Sequence, residues 1–344
     1  MNQDKLDKIA NQVARLKYGS THNKAVKTPS MEFSIPKTAG KSNIYLSGGN
    51  IIKIDSIIAH NEPDENKVLV TGHLGHLGKP TNEYLNRRFN TIGYDLLEGD
   101  NILDLNNLLA KMDGCMYVVH CAGIPHPNPK YDFTDYFLMN VIGTLNVCKA
   151  AREVGVKRVV YLSTGGIYGW DTEGKFTPDY FPIDETHVPA SISGKYKGKL
   201  NSYAQSKLIA EQVLIWYASN EIFEVVCLRL APALPLDKKP HEGKFLHDRN
   251  KTFWTNTMPD TCARAVDKAL SIHLDNPFEI IHAVEREAIS EHLDMNAYIC
   301  NEWPDVEIRD WSPPRSLMDT TKADRLLNLY GEDDVYPINS LQNE

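Results

Sequence analysis

The chain has 344 residues, of which 42% are hydrophobic and 24% are charged, and its net charge at pH 7 is −8. This apolar content can fill a sizeable core, so the composition excludes a mainly disordered chain. The mildly acidic balance argues against general nucleic-acid binding and against attraction to anionic membranes. No apolar run approaches the roughly 20 residues that a membrane span requires.

The six cysteines are scattered through the chain without a C-x-x-C spacing. Such a pattern is typical of reduced thiols in a cytosolic protein, so neither a metal nor a disulfide framework is expected. The N-terminus lacks the apolar core of a secretory signal, and Asp4 and Asp7 are atypical of a mitochondrial transit peptide. We therefore predict a cytoplasmic location.

Residues 1–65 form an extension in front of the regular part of the chain. Residues 1–20 carry apolar positions at helical spacing and predict a short amphipathic helix. Two β-like runs at 44–46 and 51–58 flank a Gly-Gly pair, which indicates a hairpin. A packing extension is the favoured interpretation, and an arm that covers substrate or contacts a second subunit is the alternative.

From residue 67 short apolar runs alternate with helical periodicity. Strands are predicted at 68–70, 91–94, 116–120, 158–162 and 225–230, and helices at 81–88, 105–111, 136–154 and 202–219. This alternation indicates βαβ units and an α/β fold with a doubly wound, Rossmann-type parallel sheet at residues 66–240. Residues 241–344, with helices predicted at 260–272 and 321–329 and a strand at 280–284, are interpreted as a smaller C-terminal lobe.

A glycine-rich loop follows the first of these strands. Gly72, Gly75 and Gly78 form the pattern G-x-x-G-x-x-G between a strand and a helix. The glycines permit a tight turn, a close approach of the backbone to a pyrophosphate, and close packing of the helix on the strand. His76 and Leu77 lie at the helix N-terminus, where free N–H groups bind phosphates. The motif predicts a dinucleotide site.

An aspartate stands where the second strand ends. Asp95 lies 23 residues after Gly72, where a carboxylate accepts hydrogen bonds from the adenosine ribose and repels a 2′-phosphate. It predicts NAD as the cofactor, with an ordinary turn aspartate as the alternative. Asp104 either contacts the adenine amino group or caps the next helix. His73 and His76 lack a third ligand nearby, so we interpret them as loop residues rather than metal ligands.

A tyrosine and a lysine occur together at the start of a strongly predicted helix. Tyr203 and Lys207 are four residues apart and share one helix face. The ammonium lowers the pKa of the phenol from its ordinary value of about 10, so the phenol can exchange a proton as a hydride moves. Thr164 supplies a hydroxyl after the fourth strand. A pair on the helix surface without this role is the alternative.

Together these motifs resemble an extended short-chain dehydrogenase/reductase of the NAD-dependent epimerase/dehydratase family. The resemblance rests on the glycine loop, Asp95, H-C-A-G at 120–123, N-V-I-G-T-L-N at 140–146, S-T-G-G-I-Y-G at 163–169, Tyr203 with Lys207, and L-R-L at 228–230. It covers roughly residues 66–330 and leaves the N-terminal extension outside.

The resemblance implies roles for the matching residues. Thr164 would hydrogen-bond the substrate oxygen, Tyr203 would act as acid/base, and Lys207 would tune Tyr203 and bind the nicotinamide ribose. The backbone of Ala122 and Gly123 would line the ribose and pyrophosphate on the adenosine side. The C-terminal lobe would mostly bind substrate.

Four further residues are candidates: Asn140 as part of the catalytic set, and His126, Gly165 and Arg249 at the substrate side. Asn140 would brace the helix behind the site, and a buried structural role is its alternative. His126, in the Pro-rich segment after the third strand, either contacts substrate or only belongs to a rigid loop. Gly165 stands where family dehydratases carry an acidic residue, so dehydration is not expected. Arg249 lies where the family's pyrophosphate-binding segment is not recognisable, which weakens a nucleotide-sugar substrate.

We therefore predict an NAD-dependent oxidoreductase that moves a hydride between nicotinamide and a secondary alcohol or ketone of a sugar or sugar-acid-like substrate. The alternatives are an NAD-dependent sugar or nucleotide-sugar epimerase and a non-catalytic NAD-sensing protein. The intact set of Thr164, Tyr203 and Lys207 argues against the sensor.

The resemblance also implies a homodimer, formed through the helices that carry Asn140 and Tyr203. Tyr136, Val147 and Ile215 are the candidate interface positions. Periodicity alone does not separate an interface from a core. No nucleic acid and no membrane is expected as a partner.

Overall fold

The computed structural model describes residues 61–169, 177–193, 201–233, 255–287, 294–310 and 315–331, together with two short strands before them. These strands, β1 (Ile44–Ser47) and β2 (Asn50–Lys53), pair with each other at the place predicted for a hairpin. The helix predicted at 1–20 and the candidate Arg249 lie outside the described residues. The chain divides into two units, and all residues from 61 onward belong to the second.

The second unit is built on a parallel sheet of six strands. Together with two short strands outside this sheet, the described strands of the unit are, in chain order, β3 (Asp64–Thr71), β4 (Asn90–Tyr94), β5 (Cys115–His120), β6 (Arg158–Thr164), β7 (Tyr180–Phe181), β8 (Glu224–Leu230), β9 (Phe278–His282) and β10 (Glu307–Ile308). The large sheet has the order β4-β3-β5-β6-β8-β9, while β7 and β10 form a separate parallel pair. The predicted α/β class and the strands predicted from residue 67 onward are confirmed, whereas the run predicted at 51–58 lies partly outside the described residues.

Helices connect these strands. They are α1 (Gly78–Leu85), α2 (Leu105–Met112), α3 (Phe133–Tyr136), α4 (Gly143–Val154), α5 (Ala190–Ser193), α6 (Ser202–Ser219), α7 (Pro259–Ser271), α8 (Met295–Glu302) and α9 (Thr321–Leu327). The helix predicted at 136–154 is interrupted, because a π-helix at Phe137–Ile142 joins α3 to α4. A π-turn inside a helix frequently marks a functional site.

The strands are continuous apolar runs because they are buried on both faces of the sheet. All seven residues of β6 are buried, since helices cover both faces of a doubly wound sheet. α1 packs against α7, and α4 packs against both α2 and α6. Tyr136 and Val147, two of the candidate interface positions, are buried within the chain itself, so they are core residues rather than a free face.

The C-terminal part of the chain also contributes to the sheet. α7 packs beside α1, and β9 pairs with β8 as the outer strand. Residues 259–282 therefore complete the predicted Rossmann-type sheet instead of lying only in a lobe beyond it.

Among the described helices, none has both the length and the apolar character needed to cross a bilayer.

Candidate active site

A cavity of about 670 Å³ lies at the carboxyl ends of the central strands. It opens beside β3 and β5, where the strand order changes direction, and open α/β sheets bind ligands at this switch point. Its lining includes twelve of the predicted site residues: Gly72, Gly75, His76, Leu77, Gly78, Asp95, Ala122, Gly123, His126, Thr164, Tyr203 and Lys207.

The glycine loop forms a tight backbone cradle at one end of the cavity. A Cβ at Gly72 would lie 2.8 Å from Ala122 N, and Gly72 has a φ of +70°, which disfavours other residues. A Cβ at Gly78 would lie 1.9 Å from Gly72 O, inside a van der Waals contact. Only glycine fits these positions, and the resulting opening before α1 suits a pyrophosphate at a helix N-terminus.

His73 and His76, both interpreted as loop residues, differ in their surroundings. His73 is buried against Gly93, where a Cβ would lie 2.4 Å from the imidazole Nε2, whereas His76 lines the cavity. Within the part of the chain that the structure describes, no group of three or more His, Cys, Asp or Glu side chains is arranged to hold a metal ion.

Asp95 connects the glycine loop to the segment after β4. Its Oδ2 accepts a hydrogen bond from Leu74 N at 3.1 Å, and its Oδ1 accepts one from Leu97 N at 3.0 Å. The carboxylate therefore has a fixed orientation at the edge of the cavity. A negative charge held there fits the hydroxyls of an adenosine ribose and repels a 2′-phosphate, so the site fits NAD.

Asp100, rather than Asp104, lies along the cavity. Asp104 accepts hydrogen bonds from Asn106 N and Asn107 N, both at 3.1 Å, and thus caps α2. Asp100 is buried, lines the cavity, and has Lys111 Nζ 3.2 Å from its Oδ2. Asp100 was not predicted from the sequence. Its nearest signal was the turn at Gly99, which ends the short 3₁₀ helix Leu96–Glu98 with a φ of +90°.

Asn140 braces the segment after β5 without lining the cavity. Its Oδ1 accepts from Ile124 N at 2.7 Å, while its Nδ2 donates to Ile124 O at 3.2 Å and to Ser206 Oγ at 2.8 Å. Ser206 belongs to the helix that carries Tyr203. Asn140 is thus a buried hydrogen-bonding residue that ties the π-helix to the loop after β5 and to α6.

Lys207 reaches the cavity from a buried position on α6. Its Nζ donates to Leu162 O at 2.7 Å and lies 4.6 Å from the centroid of the Tyr161 ring. Burial lowers the pKa of Lys207 to about 8. The Lys207 amine is therefore still mostly protonated at neutral pH. Lys207 lines the same cavity as Tyr203.

Thr164 lies at the end of β6, in the same lining. Its Oγ1 accepts a hydrogen bond from Gly166 N at 3.0 Å and caps the 3₁₀ helix Gly165–Tyr168. A hydroxyl that accepts in this way keeps its own hydrogen to donate. Gly165 is buried behind Thr164 and is not among the described residues that line the cavity.

A buried ion pair lies beneath these residues and was not found from the sequence. Arg229 donates to Glu211 through Nη2 at 2.8 Å and Nε at 3.1 Å. Ser163 Oγ also donates to Glu211, and Arg229 Nη1 donates to Tyr168 Oη at 2.6 Å. Glu211 is one helical turn after Lys207, so the pair fixes α6 to the ends of β6 and β8. Arg229 and Ser163 belong to motif segments at 228–230 and 163–169, but nothing in the sequence indicated their common partner Glu211.

The chain is similar to one protein family and to individual enzymes that act on sugars. The family described as "NAD dependent epimerase/dehydratase family" matches residues 68–247. The L-arabinose 1-dehydrogenase (NAD(P)(+)) of Haloferax volcanii is 26% identical over 226 residues, covering 62% of this chain and 86% of that protein. A UDP-glucose 4-epimerase of Rhizobium leguminosarum bv. trifolii is 29% identical over 196 residues, covering 52% of this chain and 55% of that protein.

Solved structures show the same fold at lower identity. A short-chain dehydrogenase/reductase superfamily protein from Agrobacterium tumefaciens with bound NAD superposes with a TM-score of 0.56 at 18% identity, covering 76% of this chain and 92% of that chain. MoeE5 in complex with UDP-glucuronic acid and NAD gives a TM-score of 0.54 at 20% identity, with the same coverage. These similarities confirm the predicted α/β fold class.

Proposed function

Because the chain belongs to the NAD dependent epimerase/dehydratase family, we propose that it is a dehydrogenase that oxidises a secondary alcohol of a sugar or sugar acid. The family is NAD-dependent, and the chain is an enzyme of the extended short-chain dehydrogenase/reductase type. The observation that carries the proposal is that Thr164, Tyr203 and Lys207 line one cavity with the glycine loop.

Tyr203 is the proton acceptor in this proposal. When bound, NAD would supply the hydride acceptor. The Tyr203 phenolate takes the proton of the substrate hydroxyl as the carbon loses its hydride, and Thr164 donates a hydrogen bond that holds the substrate oxygen. The Lys207 ammonium favours the phenolate by its opposite charge, and its bond to Leu162 O keeps it in place.

The far end of the cavity receives the substrate. Its described wall is formed by the loop at 125–127 and by residues 230–233, with Met139 beside them. These residues present mostly apolar surface, which packs against the C–H faces of a sugar ring, and His126 is the polar group among them. We retain His126 as a substrate contact on this basis.

A sugar epimerase is the second candidate, and it uses the same residues. The similarity to UDP-glucose 4-epimerases favours it, although the chain spans only about half the length of the Rhizobium enzyme. The longer match to the arabinose dehydrogenase favours net oxidation. Family membership and the intact residue set argue against the non-catalytic NAD sensor.

The test is to incubate the purified protein with NAD and a panel of L-arabinose, D-glucuronate and D-galacturonate and to follow NADH. We expect NADH with at least one of these sugars, and Tyr203→Phe should lower kcat by about 10²–10⁴-fold. Tyr131→Phe, at an exposed tyrosine, is the matched control. Conversion of UDP-glucose with no net NADH, by protein that retains stoichiometric NAD, would establish the epimerase instead.

The homodimer, the cytoplasmic location and the domain boundaries stay predictions.

A further inference from the structure

The loop after β5 forms one wall of the cavity, through Pro125, His126 and Pro127. Side chains from the next segment of the chain hold this loop. Asn140 bonds both backbone groups of Ile124 at the beginning of the loop. A second anchor, one helical turn earlier than Asn140, is Tyr136.

The Tyr136 hydroxyl binds the middle of the loop. It donates to His126 O at 3.0 Å and accepts from Asn128 N at 2.8 Å. Both bonded residues flank Pro127, so one hydroxyl sets the path of the backbone through the part of the loop that lines the cavity.

The ring of Tyr136 contacts Tyr203 on α6. Its centroid is 6.3 Å from that of Tyr203, with an edge-to-face angle of 63°. Aromatic pairs prefer this geometry. Tyr136 is only 2% exposed, and a capping box between Asp132 and Asp135 fixes the short helix α3 on which it stands. A single rigid side chain thus contacts the loop through its hydroxyl and Tyr203 through its ring.

We propose that Tyr136 is a positioning residue that sets the substrate loop at 125–128 and the ring of Tyr203 at a fixed distance from each other. It does not touch the reacting atoms, and it acts through the two groups that it contacts. The kinetic part of this proposal rests on the proposed function, whereas the part that concerns the loop does not.

The two contacts can be separated by substitution. Tyr136→Phe removes the hydroxyl and keeps the ring, so the loop loses both hydrogen bonds while Tyr203 keeps its neighbour. We expect KM for L-arabinose to rise about tenfold, the size of one or two net hydrogen bonds, with kcat changed less than twofold. Tyr136→Leu removes the ring as well, and kcat should then fall too.

The experiment measures hydrogen exchange at the Asn128 amide together with these kinetics. Tyr131→Phe is the matched control, because Tyr131 packs against Tyr136 at 6.1 Å but is 44% exposed. The proposal expects faster exchange at Asn128 and a higher KM in Tyr136→Phe, and neither change in the control. Unchanged exchange, or a lower kcat at constant KM in Tyr136→Phe, would overturn it.

Failure of the proposed function has a different signature. If the wild type oxidises no sugar of the panel, the dehydrogenase proposal fails. Tyr136 is then judged by Asn128 exchange, which must still rise in Tyr136→Phe and stay constant in Tyr131→Phe if the hydroxyl holds the loop.

Discussion

The two halves of the sheet build their walls of the cavity in different ways. Beside β3, β4 and β5 the wall is mainly backbone, and it depends on glycines such as Gly72 and Gly78, where a side chain would collide with main-chain atoms. Beside β6 and β8 the wall rests on buried side chains, with Glu211 and Arg229 as the central pair. The first wall depends on positions that have no side chain, and the second depends on an ion pair between two charged side chains.

This difference predicts how each half tolerates change. A clash between a Cβ and backbone has no compensating substitution nearby, because the main chain itself would have to move. A buried ion pair is damaged when one partner is lost, but replacing both with apolar residues is often neutral or stabilising. We call the side of the sheet with β3, β4 and β5 the cofactor half, and the side with β6, β8 and β9 the substrate half. The cofactor half should therefore be intolerant at single positions, and the substrate half tolerant of paired replacement.

The sharpest test of the cofactor half is Gly78→Ala. The added Cβ would lie 1.9 Å from Gly72 O, so α1 must move away from the loop. We expect a loss of about 4 kcal/mol or more in unfolding free energy, the size typical of severe clashes, together with loss of NAD binding. Gly75→Ala, with 3.1 Å to the same oxygen, is the graded control and should cost less. Urea unfolding and NAD titration measure both, and equal effects would contradict the steric argument.

The corresponding test of the substrate half is a double-mutant cycle at Glu211 and Arg229. Each single change, Glu211→Met or Arg229→Met, leaves one buried charged group unpaired and should cost about 3–5 kcal/mol. The double variant Glu211→Met with Arg229→Met should recover most of that loss. If the double variant is as unstable as the sum of the singles, the pair has no coupling and the contrast between the halves fails.

The same contrast explains what the sequence can predict. The glycine loop, Asp95 and the Tyr203–Lys207 pair are local patterns, with each spacing set by one turn or one helix face. The strands and helices follow from periodicity in the same way. Most of the twelve predicted residues that line the cavity could be found from such local patterns. Ala122 and Gly123, and the role of Thr164, followed only from the family resemblance.

The missed features depend on contacts between distant parts of the chain. Arg229 and Ser163 meet Glu211 from two different strands, and no local spacing specifies that arrangement. Asp104 was a candidate for an adenine contact because it lies near the right place in sequence, but its side chain caps α2 and Asp100 lines the cavity instead. The π-helix that contains Asn140 likewise leaves no mark in the hydrophobic pattern.

A pH series compares one buried histidine in each half. Burial lowers the pKa of both His120 and His282 to about 3, below the ordinary 6.5, so both are neutral in the folded chain. The unfolded chain therefore binds more protons below pH 6.5. Stability is fully present above that pH and is lost as the pH falls toward 3, by about 1.4 kcal/mol per pH unit for each histidine at the limit.

His120→Gln and His282→Gln should each remove one of these two contributions to the slope. Urea unfolding between pH 7 and pH 5 measures the slopes of wild type and both variants. A slope that neither variant reduces would show that other groups account for the acid sensitivity.

Asp95→Asn isolates the charge at the cofactor end. The amide keeps an acceptor oxygen for Leu97 N but no longer repels a 2′-phosphate. We expect NAD to bind several-fold more weakly and NADP about tenfold more tightly, a change of about 1.4 kcal/mol. Titration of the variant with each dinucleotide measures the ratio. An unchanged ratio would mean that Asp95 is only the turn aspartate of the alternative interpretation.

The smallest expected effect separates Asp104 from Asp100. Asp104→Ala removes the cap of α2, with its bonds to Asn106 N and Asn107 N, and should cost about 1 kcal/mol of stability without changing NAD affinity. Asp100→Asn should instead weaken NAD binding, because Asp100 lines the cavity. Thermal unfolding and NAD titration of both variants decide between the roles. Weaker NAD binding in Asp104→Ala would restore the adenine contact, and it would show that side chains outside the observed wall also shape the cofactor half.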